Sequence, residues 1–101
     1  RVFSIPPTVP VAPSLVSAVA AVGGVTLTWS GATDGGSPLV GYRILRGTTS
    51  GGETLRSNQA GPGLSFLDNT VVSGTTYFYV VRAVNTVGPS VPSNELSAVA
   101  V

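Results

Sequence analysis

The sequence predicts an all-β domain, a seven-stranded antiparallel β-sandwich held together without a disulfide. Short segments in which apolar and polar residues alternate recur along the chain, which is the pattern of half-buried strands. Gly, Pro, Asn and Asp separate these segments, and no window shows the 3.6-residue periodicity of a helix. The chain has 101 residues and no cysteine, which suits a single domain that folds by packing alone.

A proline-rich segment precedes the first strand. Four prolines fall within Ile5–Pro13 (IPPTVPVAP), and each of them fixes φ and removes a backbone donor. Such a segment favours an extended polyproline II conformation. We interpret residues 1–13 as a linker in preference to an ordinary lead-in, and residues 14–101 as the sandwich.

The strands are predicted from alternation and from the turn residues that bound them. Residues 25–30 (VTLTWS) alternate most clearly, with Val25, Leu27 and Trp29 on one face. Residues 53–59 (ETLRSNQ) are polar, and we expect them to form only an edge strand. The predicted strands are 15–20, 25–30, 40–46, 53–59, 64–68, 76–85 and 95–101.

The composition excludes most catalytic chemistry. The chain has no histidine and no lysine, so it lacks the usual general base, the commonest metal ligand and a Schiff-base amine. The five arginines are scattered and the net charge is +1, which disfavours nucleic-acid binding. No apolar run reaches the ~18 residues of a membrane span. We predict no catalytic residue, no cofactor, no metal site and no membrane insertion.

Three of the acidic residues are candidates for a metal-binding or catalytic role. Asp34 opens the run Asp34–Pro38 (DGGSP), but a calcium loop supplies several acids at alternate positions. Asp, Gly, Ser and Pro all favour turns, so we predict a turn there. Glu53 and Asp68 would need a separation of roughly 5–9 Å to act as a glycosidase pair. They would also need a cleft with sugar-binding aromatic residues, which a bare sandwich end does not offer.

The placement of the aromatic residues resembles that of a fibronectin type III domain. Trp29 lies in the second predicted strand, Tyr42 opens the third and Tyr77 opens the sixth. An immunoglobulin domain instead carries its Trp on the third strand beside a disulfide. The phrases VTLTWS, DGGSPLVGYRI and VVSGTTYFYVVRAVNTVGPSVPSN resemble the family in the same order, over about residues 13–101. The resemblance implies an immunoglobulin-like topology and a tyrosine corner at Tyr77.

Aromatic and aliphatic residues of one phase are predicted to form the core. Trp29 shares its phase with Val25 and Leu27, which opposes its use as an exposed platform for a sugar ring. The predicted core residues are Trp29, Tyr42, Ile44, Tyr77, Tyr79 and Val81.

The opposite phase of the third and sixth strands predicts an outward contact face. An exposed apolar patch flanked by arginines is typical of a contact surface. The alternative is that β-propensity alone selected these residues, with the polar segment after Gly51 covering part of them; the sequence does not separate the two. The residues of this face are Arg43, Leu45, Phe78, Val80, Arg82 and Val84.

These observations predict a non-catalytic spacer and interaction module of a larger, secreted multidomain protein. The resemblance implies a bacterial polysaccharide-degrading enzyme as the parent, with neighbouring domains or another protein as partners and a monomeric isolated domain. One alternative is an adhesive or receptor-type module at the cell surface, although the Arg46–Thr48 segment lacks the Asp of an integrin-binding motif. A carbohydrate-binding module is less favoured, because it requires an exposed aromatic platform.

Overall fold

The computed structural model describes residues 6–101 and shows seven strands, with no helix among those residues. Each strand begins and ends within about two residues of its predicted position, as expected where alternation and turn residues agree. The strands are β1 (Leu15–Ala21), β2 (Gly24–Trp29), β3 (Gly41–Gly47), β4 (Thr54–Ala60), β5 (Ser65–Asp68), β6 (Thr76–Val84) and β7 (Leu96–Val99).

The strands form two antiparallel sheets that pack face to face. One sheet has the order β1-β2-β5 and the other has the order β4-β3-β6-β7. The predicted all-β, immunoglobulin-like sandwich is therefore confirmed. β4 extends the second sheet at its edge by pairing with β3, so it does not fold over the outer face as the sequence had allowed.

The core lies between the two sheets and contains all six of the predicted core residues. Trp29 in β2 is 1% exposed, and its ring centroid lies 5.3 Å from that of Tyr42 in β3. Burying an aromatic side chain of this size stabilises the fold by about 4–6 kcal/mol before conformational entropy is subtracted. The buried members are Trp29, Tyr42, Ile44, Tyr77, Tyr79 and Val81.

Side chains from the segment between β6 and β7 complete the hydrogen bonding of β6. The Ser90 and Ser93 hydroxyls accept bonds from the backbone N–H groups of Ala83 and Val81, at 3.0 and 2.8 Å. Both serines are buried. Because buried N–H groups need partners, these two hydroxyls take the place of a neighbouring strand.

The second half of the proline-rich segment lies against the domain. The Thr8 N–H donates to the Gly35 carbonyl and the Val11 N–H donates to the Thr33 carbonyl, both at 2.9 Å. The Asn85 side-chain amide donates to the carbonyls of Thr8 and Asp34, both at 2.7 Å. Residues 8–11 are thus fixed to two loops, while residues 1–5 of the predicted linker lie outside the described residues.

Across residues 6–101, no helix is long and apolar enough to cross a membrane.

Candidate contact surface and buried charge cluster

The outer face of the four-stranded sheet carries the predicted contact residues, but it is less exposed than expected. Leu45 lies opposite Val80, and Arg43 lies opposite Arg82, on the paired strands β3 and β6. Val80 is only 6% exposed. The other five members are half-buried: Arg43, Leu45, Phe78, Arg82 and Val84.

The expectation that Val80 contributes to an exposed patch is therefore wrong. Val80 lies in a central strand between β3 and β7, so side chains on both sides cover it. Leu55 on the edge strand β4 lies opposite Leu45 and is 56% exposed. Exposed apolar side chains therefore lie on the edge strands, with Leu55 on β4 and Val99 on β7.

A groove crosses this outer face above Gly41. Gly41 lies between Ala60 of β4 and Val84 of β6, and a Cβ there would collide with the Gln59 carbonyl, so glycine allows β4 to approach closely. The next row consists of Asn58, Arg43 and Arg82. The groove has a volume of about 340 Å³ and is lined by Val40, Gly41, Tyr42, Arg43, Asn58, Gln59, Ala60 and Val84.

A buried charge cluster around Asp68 joins the two sheets. The Asp68 carboxylate, on β5, is fully buried and accepts hydrogen bonds from Arg46 at 2.9 Å and from Arg56 at 3.0 Å. The Tyr79 hydroxyl donates to the same carboxylate at 2.8 Å, and the Thr70 hydroxyl donates at 2.9 Å. The buried carboxylate therefore has several partners, as burial requires, and the two arginines share it.

Local backbone structure delivers both arginines to Asp68. Arg46 continues the inward phase of Tyr42 and Ile44 along β3, and its guanidinium lies 4.8 Å from the centroid of the Tyr77 ring. The register of β3 and β4 shifts at Arg56, because Ile44 pairs with Ser57 and Leu45 pairs with Leu55. A bulge of this kind redirects a side chain, and that of Arg56 reaches Asp68.

The protonation of this cluster follows from its hydrogen bonds. Burial alone would raise the pKa of the Asp68 carboxyl, but hydrogen bonds from Tyr79, Arg46 and Thr70 outweigh burial and lower that pKa to about 2. Burial and the bond to Asp68 raise the pKa of the Tyr79 hydroxyl. Asp68 is thus ionised and Tyr79 is neutral at ordinary pH, and neither is free to exchange protons with a substrate.

Glu53, the other acid of the possible glycosidase pair, lies near Glu95. Burial, and after it a hydrogen bond with Glu95, raise the pKa of the Glu53 carboxyl. Glu95 also accepts bonds from the Ser50 hydroxyl at 2.6 Å and the Gly51 N–H at 2.9 Å. In residues 6–101 no group of three or more potential metal-ligating residues is found.

The DGGSP run forms the predicted turn. The Asp34 side chain accepts a hydrogen bond from the Gly36 N–H at 2.9 Å, which is the bond that an Asp commonly makes in a turn. Gly35 has φ of +72°, and a Cβ there would lie 2.6 Å from the carbonyl oxygens of Thr8 and Val9. Glycine is required at this position because the backbone of Thr8 and Val9, in the proline-rich segment, approaches so closely.

The geometry of Tyr77 supports the family resemblance. The Val72 N–H donates to the Tyr77 hydroxyl at 2.8 Å, which is the expected tyrosine corner. The family model of the fibronectin type III domain matches residues 11–99. The chain belongs to the fibronectin type III family.

Relatives of this fibronectin type III domain occur within much longer proteins. The domain is 37% identical to part of Exoglucanase B from Cellulomonas fimi, over 89% of this chain and 8% of the relative. It is 39% identical to part of an amylopullulanase from Thermoanaerobacterium saccharolyticum, over 80% of this chain and 6% of the relative. A solved Fn3-like protein from Clostridium thermocellum superposes with a TM-score of 0.68 at 31% identity, covering 90% of each chain.

Proposed function

We propose that this fibronectin type III domain is a non-catalytic spacer and interaction module of a secreted polysaccharide-degrading enzyme. The observation that carries the proposal is its relation to small parts of two enzymes that are named for different polysaccharide activities, an exoglucanase and an amylopullulanase. A domain that occurs in enzymes with different activities is expected to space or connect the other domains of the chain. It is not expected to act on one particular substrate. Secretion, and assembly with neighbouring domains of one chain, belong to the same proposal.

The interior of the domain supports a structural role. Trp29, Tyr42, Tyr77 and Tyr79 are buried in the described structure, so none of them can form an exposed platform for a sugar ring. Asp68 is held by two arginines, and burial raises the pKa of the Glu53 carboxyl. Catalysis needs reactive groups arranged in an accessible cleft, and Asp68 is instead fully buried among its partners.

The domain's activity and its polysaccharide binding can be tested together. Purified domain is incubated with carboxymethyl cellulose and with soluble starch, and released reducing ends are measured. In parallel it is sedimented with insoluble cellulose and with granular starch. We expect no release of reducing ends and no retention above that of an unrelated protein of similar size. Turnover, or retention on either polysaccharide, would contradict the proposal.

A further inference from the structure

The groove above Gly41 borders two arginines that form no ion pair within residues 6–101. Arg43 and Arg82 lie directly opposite each other on β3 and β6, and like charges in this position destabilise a sheet. Both ion pairs of residues 6–101 involve Asp68, with Arg46 and Arg56 as its partners. Arg82 Nε is also buried and has no hydrogen-bond partner in the described structure. A negatively charged group from outside would relieve the repulsion between Arg43 and Arg82.

We propose that this arginine pair and the adjacent groove bind a carboxylate-bearing, extended segment of a protein. Guanidinium groups bind carboxylates with two parallel hydrogen bonds, and Arg43 lines the groove itself. The groove volume of about 340 Å³ lies at the lower end of the range for ligand sites. It therefore suits one or two side chains. This inference deepens the proposed interaction role and rests on it.

The lining of the groove favours a peptide over a sugar. Asn58 supplies an amide group, while Val40, Ala60 and Val84 supply small apolar surfaces. The aromatic residue among the lining residues, Tyr42, is buried in the core and offers no ring face for stacking.

The edge strand β4 also favours a peptide over a sugar as the ligand. β4 pairs only with β3 within residues 6–101, so its outer edge presents unpaired backbone groups to an extended peptide. A peptide paired along that edge would have alternate side chains beside Asn58, next to Arg43 in the same row.

Titration with a defined peptide tests the inference. ¹⁵N-labelled domain is titrated with an acetylated, amidated hexapeptide of alternating threonine and glutamate, and with the same peptide carrying glutamine in place of glutamate. We expect amide shifts confined to β3, β4 and the end of β6, with a dissociation constant on the order of 1 mM at about 0.15 M salt, where the Debye length is about 8 Å. The glutamine peptide should cause no shifts at the same concentrations.

Matched variants separate local recognition from net charge. Arg43→Gln with Arg82→Gln should weaken binding about tenfold or more, since two charge-assisted contacts are lost. Thr26→Glu with Thr28→Glu makes the same change in net charge on exposed positions of β2. It should alter binding by less than about threefold, because exposed charges beyond a Debye length are screened. Ala60→Leu adds bulk to the groove without a change of charge and should also weaken binding about tenfold or more.

Four results would overturn the inference. They are an absence of shifts with the glutamate peptide, equal shifts with the glutamine peptide, equal weakening in the β2 variant, and tighter binding of an oligogalacturonate than of the peptide. The polysaccharide assays described above are run on the same wild-type protein. Turnover or retention there would contradict the proposed function, whereas a failed peptide titration alone contradicts only this inference.

Discussion

The Tyr79 hydroxyl donates a hydrogen bond of 2.8 Å to the Asp68 carboxylate across the interface between the two sheets. Tyr79 belongs to the four-stranded sheet and Asp68 to the three-stranded one. Together with Arg46 and Arg56, this contact provides a polar link between the sheets in a domain that has no disulfide.

Removing the charge of Asp68 should destabilise the domain. Asp68→Asn leaves two arginines without an anion while keeping the shape of the side chain. The arginine side chains are about 24% and 21% exposed, so water compensates part of the loss. We therefore expect the free energy of unfolding to fall by about 2–4 kcal/mol, somewhat less than for a fully buried pair. Urea denaturation followed by circular dichroism measures the change.

Asp34 provides the matched control for that substitution. Its side chain accepts a hydrogen bond from the Gly36 N–H at an exposed turn, and an asparagine can accept the same bond. Asp34→Asn should change the free energy of unfolding by less than about 0.5 kcal/mol, as for most surface substitutions. If both variants lose the same stability, the Asp68 cluster does not have the role assigned to it.

The same cluster predicts how stability depends on pH. The pKa of Asp68 is about 2 in the folded domain and 3.8 without its partners. Its contribution is therefore complete above about pH 4 and is lost as the pH falls from about 4 to about 2. The loss should be roughly 1–2 kcal/mol once the partial exposure of the arginines is allowed for.

Urea denaturation of the wild-type domain and of Asp68→Asn, in steps of pH, measures this contribution. The difference between their free energies of unfolding should narrow steadily as the pH falls towards 2. A difference that is constant over this range would show that the carboxyl does not titrate with the assigned pKa.

The proline-rich segment before β1, here called the lead-in, contacts the DGGSP turn. This contact predicts that two glycine substitutions lower the free energy of unfolding by different amounts. Gly35 and Gly61 both have positive φ, at +72° and +84°. A Cβ at Gly35 meets two carbonyl oxygens of the lead-in, whereas a Cβ at Gly61 meets nothing within 4 Å. Both Gly→Ala variants should lose about 1 kcal/mol through backbone strain, and Gly35→Ala should lose more.

Hydrogen exchange of the lead-in separates the two effects. The Thr8 and Val11 amides donate to the Gly35 and Thr33 carbonyls and should be protected in the wild-type domain. That protection should fall in Gly35→Ala and persist in Gly61→Ala. Unprotected amides in the wild-type domain would instead favour the free linker that the proline content suggested.

Strand positions could be predicted from the sequence because each strand is defined by local alternation and by its own turns. The burial of Trp29 follows from its phase with Val25 and Leu27, which all lie inward. The outer face was harder to predict, because the exposure of Val80 depends on which strands lie beside β6. The position of a residue in the alternating pattern determines on which side of the sheet its side chain lies. It does not determine how far side chains of neighbouring strands cover that side chain.

The charge cluster was missed although a local signal was present. Arg46 continues the inward phase of Tyr42 and Ile44, and Asp68 shares the inward phase of Phe66. A charged side chain that faces the core requires a partner of opposite charge. This requirement could have suggested that Arg46 and Asp68 pair with each other. Arg56 had no comparable signal, because a bulge in β4 directs its side chain and depends on pairing with β3.

The fluorescence of Trp29, the only tryptophan in the chain, tests most directly the claim that the aromatic residues serve the fold and not a sugar. The emission is recorded with increasing acrylamide, in the presence and absence of soluble cello- and malto-oligosaccharides. We predict a blue-shifted emission that acrylamide quenches weakly and that the oligosaccharides leave unchanged, because Trp29 is 1% exposed. Quenching comparable to that of free indole, or a spectral shift when an oligosaccharide is added, would contradict the account.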